Sequence, residues 1–268
     1  MMNAKEILDH FAQRLARLEV SGVLPAAEAV LRLPSPPLDL HSFTSSYQGT
    51  PVLFPASWAP TSSRLSLTDL LRDSLQVEVF RLQYKQTDEP WHLEEEANDT
   101  ARDFAILLIN IIQPITTLRF IASETVKQRN VWMGSLVTSR IHFDALDNLH
   151  VCLSGGKIVH LYPPSELPNM YPEPWNEGSL NNFSQIGSVI LANERDHARY
   201  FRCKRFRAEL REGEAIFIPA GWWHEVFTLQ QTLSVNVWLG PSSNARFRPT
   251  LLHLKSDKYL QFMLSYKD

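Results

Sequence analysis

Cysteine is nearly absent: Cys152 and Cys203 are the only two in 268 residues. Two thiols cannot staple a chain of this length, so a disulfide framework is excluded, and a reducing compartment, cytosol or nucleus, is expected. No apolar run is long enough to span a bilayer. "FAILLINIIQPI" is short and interrupted by Asn110 and Pro114, so no membrane association is expected. The opening "MMNAKEILDHF" carries charge where a secretory leader needs a basic start and an apolar core. A net charge of only −3 and a pI near 6.3 argue against a general polyanion-binding surface, although a local basic patch is compatible with them. Repeats and low-complexity tracts are lacking too.

What is present suits one large domain, or a domain with a helical appendage: 44% of the residues are hydrophobic. Asn3 followed by Glu6 reads as a capping box, and Ile7, Phe11, Leu15 and Leu18 recur at helical spacing. Residues 4–19 are therefore predicted to form an amphipathic helix. A second short helix is predicted after Pro25, ending before the linker "LPSPP". "SLTDLLRDS" reads as a short capped helix, "QVEVFRLQ" as a strand, and "QTDEPWHLEEEANDT" as a solvated loop and helix start. From residue 131 to 239 short strand-like runs alternate with Gly and Pro, which points to an all-β barrel or sandwich. Between "LYPP" and "EAIFIP" lies a long insertion, Ser165 to Arg211.

The stretch "SRIHFDALDN" interleaves charge with apolar residues. If it runs as a strand, Ile141 and Phe143 take one face while His142 and Asp144 share the other, two metal-ligand types one strand repeat apart. A third ligand must come from another strand. His150 follows the pair too closely to fold back. His224, in "IFIPAGWWHEVF", sits where a Pro-Ala-Gly turn breaks the chain and starts the next strand. Two imidazoles and a carboxylate on one side of a metal make the facial triad of non-heme Fe(II) oxygenases; zinc with the same three ligands is the competing reading.

These residues carry a family resemblance. "WMGSLVTSRIHFDALDNLHVCLSGGKIVHLYPP", "LREGEAIFIPAGWWHEV" and "LSVNVW" resemble the Jumonji C group of Fe(II)- and 2-oxoglutarate-dependent oxygenases. Nearest in motif are its small cupin-like hydroxylases of asparagine side chains and of the tRNA base wybutosine. The latter share H-x-D-x-x-D-N-L, here His142, Asp144, Asp147, Asn148 and Leu149. The likeness covers about residues 38–240, since "DLHSFTSSYQGTPVLF" resembles the opening of these domains. It implies a mainly β fold with flanking helices, a double-stranded β-helix (jelly-roll, cupin-like) core over 38–240, a helical segment 1–37 and a helical tail 241–268.

The resemblance further implies Fe(II), 2-oxoglutarate as cosubstrate and O2, with oxidation coupled to decarboxylation of 2-oxoglutarate to succinate. His142, Asp144 and His224 match the iron ligands. Lys157 matches the basic residue that pairs with the distal carboxylate of 2-oxoglutarate. Alternation in "KIVHL" puts it on one face with Val159 and Leu161, where a buried lysine needs an anion. Asn148 and Asn236 match pocket-lining positions, and Ser139 takes the slot of a hydroxyl that hydrogen-bonds the cosubstrate. A tyrosine on an earlier strand is also expected, with Tyr84 a candidate. Asp147 reads as a structural cap on the turn.

The motifs do not state the substrate. Three readings compete: a hydroxylase of a protein side chain or tRNA base, a histone or protein lysine demethylase using the same chemistry, and a non-catalytic metal-binding interaction module. The absence of a CxxC zinc module favours the first over the second. In "RDHARYFRCKRFRAELR", arginines interleave with Tyr200, Phe201 and Phe206, which suits phosphates and base stacking. The competing reading is an insertion whose aromatics anchor it while its arginines are solvated or pair with Glu194, Asp196 and Glu209. The apolar tail after Pro249 predicts a homodimer.

Overall fold

The computed structural model describes residues 4–34, 43, 47, 49–54, 77–85, 92–95, 105–110, 126–134, 137–174, 182–228, 232–240, 249 and 250. After helix α1 (Ala4–Val20), the described strands are β1 (Ala27–Ala29), β2 (Leu31–Arg32), β3 (Val52–Phe54), β4 (Val77–Lys85), β5 (His92–Glu95), β6 (Ala105–Asn110), β7 (Val126–Gly134), β8 (Val137–Thr138), β9 (His142–Phe143), β10 (Asp147–Ser154) and β11 (Gly156–Tyr162). A one-turn helix α2 (Glu194–His197) precedes β12 (Arg205–Arg211), β13 (Ala215–Ile218), β14 (Trp223–Thr228) and β15 (Thr232–Leu239). They form two sheets. The larger runs β2-β3-β13-β10-β15-β7-β6-β4-β5, and the smaller runs β1-β12-β11-β14-β8 with β9 also on β14.

Successive strands swap sheets: β10 belongs to the larger and β11 to the smaller, and likewise β13 and β14. Tight turns make each crossing. Gly155, between β10 and β11, has φ +81°, and Gly221, between β13 and β14, has φ +82°, a region costly for any side chain with a Cβ. Alternation then sorts the faces. Leu149, Val151, Phe217, Val235 and Val237 form the cluster on the outer face of the larger sheet. Cys152, Ile216 and Ile218 of that sheet meet Val159, Leu161, Ala208 and Leu210 of the smaller one, and this cluster is the core between the sheets. Both cysteines are buried free thiols. Among the described residues, no helix is long and apolar enough to cross a membrane.

The predicted helix over 4–19 is α1. The helix predicted after Pro25 is not formed: the chain alternates there instead, and β1 pairs in parallel with β12 while β2 pairs in parallel with β3. Residues 27–32 are thus woven into the edges of both sheets. The acidic segment read as a loop contains β5, which pairs with β4. Residues 205–211 of the predicted insertion form β12, an interior strand of the smaller sheet. "SLTDLLRDS", the capping residue Asn3 and the tail beyond residue 250 lie outside the described residues.

Candidate metal centre and adjoining pocket

Two turns build the site. In one, Phe143 to Asp147 leads from β9 into β10. In the other, Pro219-Ala220-Gly221 leads into β14. They are hydrogen-bonded to each other: the Gly221 N–H donates to the backbone carbonyl of Asp144 (2.7 Å), and the Ala220 N–H donates to Asp147 Oδ1 (2.7 Å). Asp147 is thus the structural cap that the sequence suggested. On the strand side β9 pairs with β14 so that His142 and His224 are direct cross-strand neighbours.

The ligand atoms of His142, Asp144 and His224 all lie within 4.8 Å of one another. His224 Nε2 is 3.7 Å from Asp144 Oδ2, and His142 Nε2 is 3.9 Å from Oδ1. Each imidazole has its other nitrogen against a main-chain carbonyl, His142 Nδ1 on Arg140 O (2.7 Å) and His224 Nδ1 on Trp222 O (3.0 Å). Donation from Nδ1 leaves the Nε2 lone pair aimed at the carboxylate, the tautomer a metal ligand requires. Burial, together with neighbouring His142, holds the His224 pKa down to about 4, so it stays a neutral donor at physiological pH. The donor set and its tautomers fit a divalent metal ion.

The sheets' inner faces continue inward from this triad. Asn148 lies on β10 with its Nδ2 donating to Asp144 Oδ2 (3.4 Å). Asn236, on β15, accepts from Trp132 Nε1 (2.8 Å) and is buried. Lys157 is 8% exposed and donates to Thr228 Oγ1 (3.1 Å); among the described residues no carboxylate pairs with it. Burial lowers its pKa to about 8. A buried ammonium with a single hydroxyl partner is costly, and an anion at this point would remove that cost, so the residues fit a carboxylate-bearing cosubstrate. Ser139 bonds to the middle of β14, its Oγ accepting the Val226 N–H (2.9 Å). Tyr84 belongs to β4, whose side chains lie outside the described set.

Several residues at the site carried no readable signal. Phe183 bridges to His142 and its ring stacks on the imidazole at 5.6 Å, with Arg140 over the same ring and paired to Glu173. Glu225 points away from the metal side. It is fully buried and accepts from Ser188 Oγ, Val189 N and Thr138 Oγ1, clamping segment 188–189 against β14. Burial pushes its pKa up to about 8. These contacts join residues tens of positions apart, so no local pattern announces them.

The fold divides the arginine–aromatic segment: Arg195, Arg199, Arg202 and Lys204 are exposed, whereas Arg205, Arg207, Tyr200 and Phe206 are engaged. Arg205 is 3% exposed, donates to Pro25 O and pairs with Glu19 (3.3 Å). Arg207 pairs with Glu19 (3.1 Å) and Glu209 (2.7 Å). Tyr200 is buried and bonded to Tyr162, while Phe206 packs edge-on against Trp222.

Comparison with known proteins agrees with this architecture. The profile of the cupin-like domain matches residues 70–245. Lysine-specific demethylase JMJ31 of Arabidopsis thaliana is 35% identical over 144 residues, 53% of this chain and 26% of that protein. Human HSPB1-associated protein 1 is 31% identical over 118 residues, 42% of this chain and 24% of that protein. The chain thus spans about a quarter of the length of these relatives. The structure of YcfD from Escherichia coli superposes with a TM-score of 0.51 at 12% identity, covering 78% of this chain and 55% of that one, a likeness of fold. With the profile matching well over half its length, the chain belongs to the cupin-like domain family.

Proposed function

We propose that the protein is an Fe(II)- and 2-oxoglutarate-dependent oxygenase that hydroxylates a side chain of a protein substrate. The observation carrying this reading is the inward face of the smaller sheet, with the His142, Asp144 and His224 cluster at one end and the buried Lys157, without a carboxylate partner among the described residues, at the other. His142, Asp144 and His224 would hold the iron through Nε2, a carboxylate oxygen and Nε2, leaving its remaining positions open. Lys157 and Thr228 would hold the remote carboxylate of 2-oxoglutarate by a charge-assisted hydrogen bond. Bound iron with 2-oxoglutarate supplies O2 activation coupled to loss of CO2 and formation of succinate. The protein's part is to orient the ligands and exclude water, and the buried core residues Val159, Leu161 and Ile216 surround this face with apolar side chains. The preference for protein over tRNA rests on the engaged state of Arg205, Arg207, Tyr200 and Phe206.

One observation favours a second reading: curated relatives 35% and 30% identical are named lysine-specific demethylases. Hydroxylation of an N-methyl group gives an unstable product that releases formaldehyde, so the two readings differ in products. The test is succinate release by Fe(II)-loaded protein against pools of unmodified peptides, methyl-lysine peptides and total tRNA. A gain of one oxygen on a peptide supports hydroxylation. Formaldehyde from methyl-lysine peptides alone replaces it with demethylation, and oxygen on a nucleoside replaces it with RNA modification. Tight zinc binding with indifference to 2-oxoglutarate would leave a metal-binding interaction module.

A further inference from the structure

His150 lies on β10 between Asn148 and Cys152, and alternation turns all three toward the opposite sheet, away from Leu149 and Val151 in the outer cluster. Its direct cross-strand neighbours are Ile216 on β13, part of the core between the sheets, and Asn236 on β15. Facing it on the smaller sheet is the row formed by Lys157, Val159 and Leu161 of β11 with Thr228, Val226 and His224 of β14. This wall runs about 13 Å from His224 to Thr228, four residues at strand rise. His150 is on the face turned toward this wall, near enough for the charge of Lys157 to act on it.

It is 7% exposed, and among the described residues its Nε2 has no hydrogen-bond partner. Burial, then Lys157, then His224 hold its pKa well below the usual imidazole value, so the ring is neutral and carries one N–H. A buried imidazole nitrogen left unpaired is costly. A phenylalanine would fill the same space without that cost. His160, on the outer face of β11, also lacks a hydrogen bond of normal geometry but has the Glu19 carboxylate 3.5 Å away. His150 faces Lys157, which is itself short of an anion.

We infer that His150 is a further binding residue of the site, donating its Nε2–H to the same cosubstrate carboxylate that Lys157 and Thr228 hold, and so supplying the donor that the resemblance assigns to a tyrosine. This rests on the 2-oxoglutarate reading above. It also predicts selectivity: the contact is made only to a ligand bearing the remote carboxylate, because the 2-oxo acid end is committed to the metal.

The test is anaerobic calorimetry of the full chain loaded with Mn(II), titrated with 2-oxoglutarate and with 2-oxobutyrate, which has the 2-oxo acid end but no remote carboxylate. In His150→Phe, 2-oxoglutarate binding weakens about tenfold to a hundredfold, the worth of one hydrogen bond to a charged group. Mn(II) and 2-oxobutyrate binding stay at wild-type values, and His150→Gln, which keeps an N–H, regains most of the loss. Should the phenylalanine variant not fold, His150→Leu repeats the comparison. Unchanged 2-oxoglutarate binding in the variant overturns the inference and leaves the oxygenase reading standing. Equal weakening of both ligands, or loss of Mn(II), also overturns it, since His150 then acts on the fold or the metal. Wild-type protein that binds Mn(II) but not 2-oxoglutarate overturns the oxygenase reading itself.

Discussion

Asp147 accepts the backbone N–H of Ala220 at 2.7 Å, and this bond joins the turn that carries Asp144 to the turn that presents His224. Ligands 80 positions apart in sequence are thereby set side by side. Both ends of the bond are buried. Asp147→Ala should therefore lower stability by about 1–3 kcal/mol, through the unpaired amide, and weaken metal binding about tenfold or more by loosening the ligand geometry. Thermal unfolding and a metal titration on the same variant check both; Asp147→Asn, which keeps the acceptor oxygen, should retain most of each.

Asp144 is the only anionic ligand of the set and touches both imidazoles. Asp144→Ala should abolish Fe(II) binding. The weak visible band expected when 2-oxoglutarate is added anaerobically to the Fe(II)-loaded wild type should then be missing. Retention of that band in the variant would remove Asp144 from the metal centre.

Lys157 contacts Thr228 rather than any metal ligand. Lys157→Ala should weaken 2-oxoglutarate binding about tenfold to a hundredfold while Mn(II) affinity stays near wild type, as read by calorimetry of each ligand separately. Loss of both together would show that Lys157 supports the fold instead.

Helix α1 is held to the smaller sheet by Glu19, which meets His160, Arg205 and Arg207 from β11 and β12. The hydrogen bond with His160, then the charges of Arg207 and Arg205, bring its pKa from 4.5 to about 2, against the opposing effect of burial. A depressed carboxyl pKa stabilises the fold above pH 4.5, and that stability is lost as pH falls toward 2. His160, its pKa lowered chiefly by burial, adds a loss in the same direction below its ordinary value of 6.5. Glu19→Gln should be less stable at pH 7 by about 3 kcal/mol, as Arg205 is left buried without a counter-charge. Its stability should also fall less steeply than wild type between pH 4.5 and 2. Denaturant unfolding across that range decides.

The cluster of His142, Asp144 and His224 was legible in the sequence because each member is announced locally. Strand alternation puts His142 and Asp144 on one face, and the Pro-Ala-Gly turn marks His224 as the start of a new strand. Lys157 was legible for the same reason, as a cation in an alternating apolar strand. Alternation also sorted the faces of β11 correctly, since a period of two follows from backbone geometry alone. The sequence could not say what stands opposite each face. His150 has the same local pattern whether it packs against apolar surface or looks across at Lys157. Arg205 and Arg207 read as an exposed basic strip until β12 is placed inside the smaller sheet with Glu19 above it. The segment after Pro25 has helix-compatible residues, yet pairing with β12 and β3 satisfies its backbone along two sheet edges. In each case the deciding partner lies far away in the chain, and only the tertiary structure brings it within hydrogen-bonding distance.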